Sequence, residues 1–408
     1  MRIISVLLFM LMMLTGCSGS ANYPTDDFFH FKTDAQYSYT LQGSERLFAE
    51  SEDGYYFYLL IKGNHYLFYT DKKTMKTLPV CNKPNCLHYE ETEYSKRAMC
   101  NAFFNPGSYF TSVFYNNGKI YLPITQENNT IITQVSLDGS GRKELFNLEG
   151  KVWGWNMVFH RGYIYCGITF YDEDMRTAIK LLRCPLDNPQ ETPTVLFEQE
   201  LDPEAEPNPS NSIRELRAFG NHLYFTITED KNIFYSIDLS QKEPVLEAFM
   251  DSTHGNDYLN YTITPSDGIV FAAINDITGL ESLSGEELIK NIKNKIYKTD
   301  LHGNYIETFM EIPNSSFTAD DKYFYNWSFW PRDESSDYHI KIYDLEGKLL
   351  INYDFSAIAP DFSDLYVSPG ELVFMPTPKL NKIYYFSKSE IETGEIHPKL
   401  LIDCSQYQ

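Results

Sequence analysis

Positive charge is scarce in this 408-residue sequence. Lysine and arginine total 34 against 56 aspartates and glutamates, a formal net charge of −22. So acidic a chain repels phosphate backbones, which excludes nucleic acid as a partner, and it disfavours adsorption of the whole domain to anionic lipid. Apolar runs are short: beyond the first residues none reaches the length of a membrane span. The nine histidines form no His-x-x-x-His or His-Glu-x-x-His pattern. Glycine-rich phosphate loops and Gly-x-Ser-x-Gly elbows are missing too, so no familiar catalytic motif points to an enzyme class. No EF-hand-like loop surrounds Asp172-Glu-Asp174, which therefore reads as a solvated loop.

Aromatic residues, by contrast, are abundant. Tyr (31) and Phe (28) dominate a 15% aromatic content, and 43% of the chain is hydrophobic, enough for a large core. These residue types favour strands over helices.

The N-terminus reads as an address. Arg2 precedes the apolar run Ile3 to Leu14, which is short for a bilayer span and fits a signal peptide. Leu14-Thr-Gly-Cys17 closes it and resembles the bacterial lipobox. That resemblance implies cleavage before Cys17, a diacylglycerol on its thiol, and an extracytoplasmic protein held at the cell membrane. The expected division is a signal peptide over 1–16, a lipid-anchored tether over 17–41 and one large domain over 42–408.

Within that domain a unit recurs: a strand, a tight turn, and a second strand rich in Tyr, Phe and Ile. The turns are Asp53-Gly54, Asn117-Gly118, Arg161-Gly162, Gly220-Asn221, Asp267-Gly268, Asp320-Asp321 and Pro369-Gly370. Asp-Gly and Asn-Gly between apolar runs are strong hairpin signals. Further strands follow most hairpins, as in Lys295-Ile-Tyr-Lys-Thr and Ile340-Lys-Ile-Tyr-Asp. The spacing predicts an all-β domain, a β-propeller of seven four-stranded blades, with six or eight as the neighbouring counts. Asp300-Leu-His-Gly303 and Asp344-Leu-Glu-Gly347 resemble the turn of bacterial propellers of the Tyr-Trp-Thr-Asp and TolB-like type. The Gly-His and Trp-Asp signatures of WD40 blades and the Ser-x-Asp-x-Gly-x-x-Trp box of sialidases are absent. Two interruptions stand out. Ser284 to Lys293 has a capping serine, early acids and late lysines, and predicts a short helix. Glu198 to Ser212, with its prolines, reads as a linker between blades.

The most distinctive stretch is an insert over 79–104, expected between the first two blades. It contains Cys81-Asn-Lys-Pro-Asn-Cys86-Leu-His88 and then Cys100-Asn-Ala-Phe-Phe104. This resembles an insert of propeller lipoproteins of Gram-positive gut bacteria, with a longer gap between His88 and Cys100. Three thiols and one imidazole would complete a tetrahedral structural zinc site. A disulfide staple is the favoured reading and the metal site the second, because export permits oxidation. Reduced thiols are the third. No other cofactor is expected, and nothing assigns catalysis to a residue. Cys166 and Cys184 fall on neighbouring strands of the third unit, where they could pair or simply pack.

Recurring Asp71, Asp238, Asp300 and Asp344 sit at equivalent strand ends and read as Asx-turn formers rather than catalytic acids. Trp153, Trp155, Trp327 and Trp330 lie near loop ends, where an aromatic ring can stack on a sugar or a partner side chain; core or inter-blade packing is the favoured reading. The expectation for function is non-enzymatic binding of a protein or glycan at the cell envelope. The alternative is a carbohydrate-active hydrolase or lyase, with paired carboxylates across the propeller funnel.

Overall fold

The computed structural model describes residues 29, 34–36, 46–104, 108–109, 112–126, 129–149, 151–171, 177–200, 212–228, 232–241, 244–250, 259–276, 279–280, 282–284, 287–288, 291–313, 315–327, 339–358 and 364–407. Seven antiparallel sheets follow one another along the chain, and together they form a seven-bladed propeller. Five are meanders of four strands, and in the first two one of the four strand positions is filled by two short pieces; strands are numbered here from the inside outward. In the third blade these are Lys151–His160, Tyr163–Tyr171, Thr177–Pro185 and Thr194–Glu200. The fourth blade runs Ser212–Phe219, His222–Thr228, Asn232–Asp238 and Leu246–Met250.

All seven expected hairpins join the first and second strands of a blade. In two of them both turn residues have positive φ: Asn117 at 45° with Gly118 at 73°, and Arg161 at 49° with Gly162 at 80°. That is the backbone a two-residue hairpin needs to match the twist of its strands.

Burial follows strand position. Second strands such as Tyr323–Trp327 and Leu372–Pro376 are buried at every residue, whereas the fourth strand Lys399–Asp403 has none fully buried. A blade covered on both faces by neighbours needs apolar side chains on both faces of its inner strands, which accounts for the aromatic load. Ring pairs cross the seams between blades. Tyr121 meets Phe159 at 4.9 Å, Phe234 meets Tyr261 at 4.9 Å, and Phe271 meets Phe324 at 5.2 Å. At the last seam Phe48 of the first blade stacks on Phe374 of the seventh at 4.2 Å.

The Cys-rich insert is placed differently from expectation. It interrupts the fourth strand of the first blade instead of linking two blades. Thr77–Pro79 pairs with Phe68–Thr70, the chain departs, and Phe103–Phe104 returns to pair with His65 and Tyr66 of the same third strand, Asn64–Asp71. In the second blade the innermost position is likewise filled by two pieces, Ser108–Tyr109 and Phe114–Asn116.

Residues 34–36, within the stretch expected to be tether, are docked on the ring. Ala35 bridges Phe159 of the third blade, and Gln36 accepts a 2.7 Å bond from the Ala218 N–H and donates to the Pro265 carbonyl. Of the expected helix near Ser284, the described residues 287, 288 and 291 are helical. No helix among the described residues is long and apolar enough to cross a membrane.

Candidate functional site

The hairpin turns between first and second strands gather at one end of the ring. There they enclose a funnel of about 1460 Å³. Its walls come from the turns of the first, second, fifth, sixth and seventh blades, from the docked residues 34–36, and from the helix Lys388–Thr393 after the last blade's third strand. Eight carboxylates and two lysines line it: Asp34, Glu50, Glu52, Asp53, Asp320, Asp321, Glu371 and Glu392 against Lys322 and Lys388.

Half of these carboxylates hold the funnel together. Glu50 pairs with Lys72 at 2.6 Å and accepts a 2.6 Å bond from the Gly370 N–H, tying the first blade to the seventh. Asp320 pairs with the buried Lys388 at 2.7 Å and accepts bonds from the Lys322 and Tyr323 N–H groups and the Tyr325 hydroxyl. Asp321 accepts two bonds from Ser266 on the neighbouring blade. Asp34 accepts from the Arg161 N–H and contacts His160 Nδ1 at 2.8 Å, fixing the docked segment. Glu52, Asp53, Glu371 and Glu392 are exposed to the cavity.

One wall is tyrosine. Tyr56 stacks parallel to Tyr115 of the second blade at 6.5 Å and contacts Tyr69 at 4.9 Å; Leu137 lies beside them. Tyr69 and Tyr115 are partly exposed. Burial pushes both phenols up, so they remain neutral donors at physiological pH. Linear reading missed this wall because its three rings come from three strands of two blades.

Two of the sequence-predicted aromatics, Trp155 and Trp327, are elsewhere. Trp155 is 2% exposed and Trp327 fully buried, each packed within an inter-blade core, so neither offers a free ring face. The side chain of Trp153, the whole of Trp330, and Cys17 lie outside the described residues.

The four residues of the insert converge. One ligand atom each from Cys81, Cys86, His88 and Cys100 lies within 4.8 Å of all the others. His88 Nδ1 is 3.4 Å from Cys100 Sγ. Burial pushes the Cys100 thiol up. Cys81 is also desolvated, yet hydrogen bonds from the Lys83 and Asn101 backbones bring it below the ordinary thiol value. All six described cysteines are free thiols; Cys166 and Cys184 pack in the core of the third blade.

The recurring aspartates close turns. Asp71 accepts from the Thr74 N–H, Asp238 from Ser240, Asp300 from His302 and Asn304, and Asp344 from Glu346 and Lys348. Bonds from the side chains of Gln241 and Ser240 hold Asp238 down at about 2.

Sequence reading also passed over Glu215. It lies at a bulge in the innermost strand of the fourth blade, with φ at 50°, and contacts Arg217 at 3.3 Å. Burial pushes its carboxyl up to about 7, against the pull of Arg217.

No protein-family model and no curated protein matches the chain. Solved structures do resemble it. One of two prolyl endopeptidases superposes with a TM-score of 0.55 at 11% identity, over 95% of this chain and 53% of that one, so the chain spans about half that enzyme's length. A periplasmic gluconolactonase of Pseudomonas aeruginosa gives 0.52 at 10% identity, covering 86% of this chain and 97% of the other. An oligogalacturonate lyase in complex with manganese gives 0.51 at 10% identity, covering 94% and 92%. At such identities the likeness is one of fold, and by fold the chain is a seven-bladed β-propeller with propeller enzymes among its neighbours.

Proposed function

We propose that the protein is a lipid-anchored, extracytoplasmic propeller that binds a protein or glycan partner in its funnel without transforming it. The carrying observation is the pairing of a tyrosine wall with an excess of carboxylates. Tyr69 and Tyr115 offer partly exposed rings for stacking, and Glu52, Asp53, Glu371 and Glu392 offer acceptors to hydroxyl groups or cationic side chains. The excess of negative charge disfavours a polyanionic ligand. Cys17, through its lipid, keeps the ring near the envelope.

The test is an envelope pull-down and a glycan array with the mature chain and with Tyr69→Ala/Tyr115→Ala. Retention by the native chain, weakened by about tenfold or more in the double variant, supports the reading. Equal retention by both removes the funnel wall from it.

The alternative is a carbohydrate-active lyase or hydrolase. Glu215 favours it, because a carboxyl pushed to about 7 can act as acid or base near neutral pH. Its side chain is buried, however, and such an enzyme would have to open a path to it. Among the solved structures of similar fold, the oligogalacturonate lyase and the gluconolactonase fit this second reading.

A further inference from the structure

All four strands of the seventh blade come from Tyr366–Val367, Leu372–Pro376, Lys382–Ser387 and Lys399–Asp403, and none of the first blade's strands belongs to it. Among the described residues no strand is exchanged across the seam. The inner strands are joined by Phe48 on Phe374 and by Glu50 on the Gly370 N–H; the insert adds a contact at the outer rim.

The insert is placed to do so. It leaves the third strand's edge after Pro79 and returns at Phe103, with Cys81 two residues past the departure and Cys100 three before the return. Cys86 and His88 come from the turn between them, where Asn85 and His88 adopt left-handed backbone at φ 60° and 53°. Both halves of the split strand and the turn thus meet at one cluster of three sulfurs and an imidazole. Next to it, Tyr89 packs edge-on to Tyr407 at 4.9 Å, and the Tyr407 hydroxyl donates to Glu90 at 2.9 Å. Tyr407 belongs to the C-terminal turn that follows the last strand. On the other flank, Arg142 of the second blade donates to the carbonyls of Asn101 and Phe103.

We propose that Cys81, Cys86, His88 and Cys100 bind one zinc ion, and that this ion fastens the propeller's seam by fixing the insert against the C-terminal turn. Thiolates at about 2.3 Å from zinc lie roughly 3.8 Å apart in a tetrahedron, which the observed cluster reaches with small adjustments. A disulfide would use two of the three sulfurs and leave the third and the imidazole without a role. Four protein ligands fill the tetrahedron, so the ion is structural and leaves no position for substrate. Backbone N–H groups of Lys83, Asn101 and Ala102 bond the sulfurs of Cys81 and Cys100, the kind of outer support that orients metal thiolates. The inference is independent of what the funnel binds.

The experiment measures metal content and hydrogen exchange on the full mature chain, purified without added metal and without reductant. Zinc at one equivalent is expected, with exchange in residues 399–407 rising about tenfold or more when a chelator removes it, and exchange in the fourth and fifth blades unchanged. His88→Ala should behave as the chelated protein, and His88→Cys should restore both zinc and protection. Should the alanine variant fail to fold, the chelation arm on the native chain still decides. Absence of zinc together with a disulfide in the insert overturns the metal site. Zinc that can be removed without any change at 399–407 overturns its role at the seam.

Discussion

Phe48 lies flat on Phe374, with ring centroids 4.2 Å apart and planes 6° from parallel. The two residues are 326 positions apart in sequence (374 − 48), and their contact joins the first blade to the last. Both are exposed by 2% or less. Truncating one leaves a void on the seam that rigid blades cannot fill. Phe374→Ala should cost about 3–5 kcal/mol of stability. Denaturant unfolding of the variant against the native chain measures this, and a cost under about 1 kcal/mol would show that the seam is not a packed interface.

Gly139 faces the insert's departure point from the second blade. Its φ is +76°, and an added Cβ would sit 2.5 Å from the Val80 carbonyl oxygen. Gly118 has a similar φ of +73° but open space around it. Gly118→Ala should therefore cost only the backbone term, about 1 kcal/mol. Gly139→Ala adds a clash with main chain and should cost more, roughly 2–3 kcal/mol. Thermal melts of the two variants side by side test the difference; equal costs would mean that the insert does not press on the second blade as described.

Glu215 gives the fold a pH dependence whose sign follows from burial. Its carboxyl is pushed up from 4.5 to about 7. Between these values the folded chain keeps a proton that the unfolded chain has lost, so stability falls as pH rises through the window and levels off above it. The loss amounts to roughly 3 kcal/mol at most. Glu215→Gln imitates the protonated form. It should match the native chain at pH 4 and exceed it in stability at pH 8. Unfolding curves at those two pH values check the prediction, and parallel behaviour at both would assign the carboxyl an ordinary titration.

The proposed lipidation of Cys17 makes a separate prediction. In a bacterial host, a labelled fatty acid should be incorporated into the native chain and not into Cys17→Ser, which should leave the membrane fraction. Unchanged membrane retention of the unlabelled variant would point to another anchor.

Much of the fold was legible because its determinants are local. A two-residue turn such as Asn117-Gly118 fixes a hairpin within a few residues, and seven such hairpins fix the blade count. The split fourth strand was not legible. Phe103–Phe104 pairs with His65 and Tyr66 across nearly forty positions, and no local pattern announces that return. The insert's four ligands stood out by residue type, but their convergence depends on the left-handed backbone at Asn85 and His88. For Trp155 and Trp327 the packing reading holds: Trp327 sits at the end of a strand buried at every residue, so position near a loop did not mean exposure. The tyrosine wall had no linear signature, since blade packing alone brings Tyr56 and Tyr115 together.

Whether the funnel holds the proposed partner or changes it can be measured directly. The mature chain is incubated with isolated cell-envelope polysaccharide and envelope protein, and both co-sedimentation and new chain ends are quantified in one sample. A binding propeller co-sediments with the partner, releases it when Tyr69 and Tyr115 are alanine, and generates no new reducing or unsaturated ends. Accumulation of such ends with time, abolished by Glu215→Gln and indifferent to the two tyrosines, would contradict it.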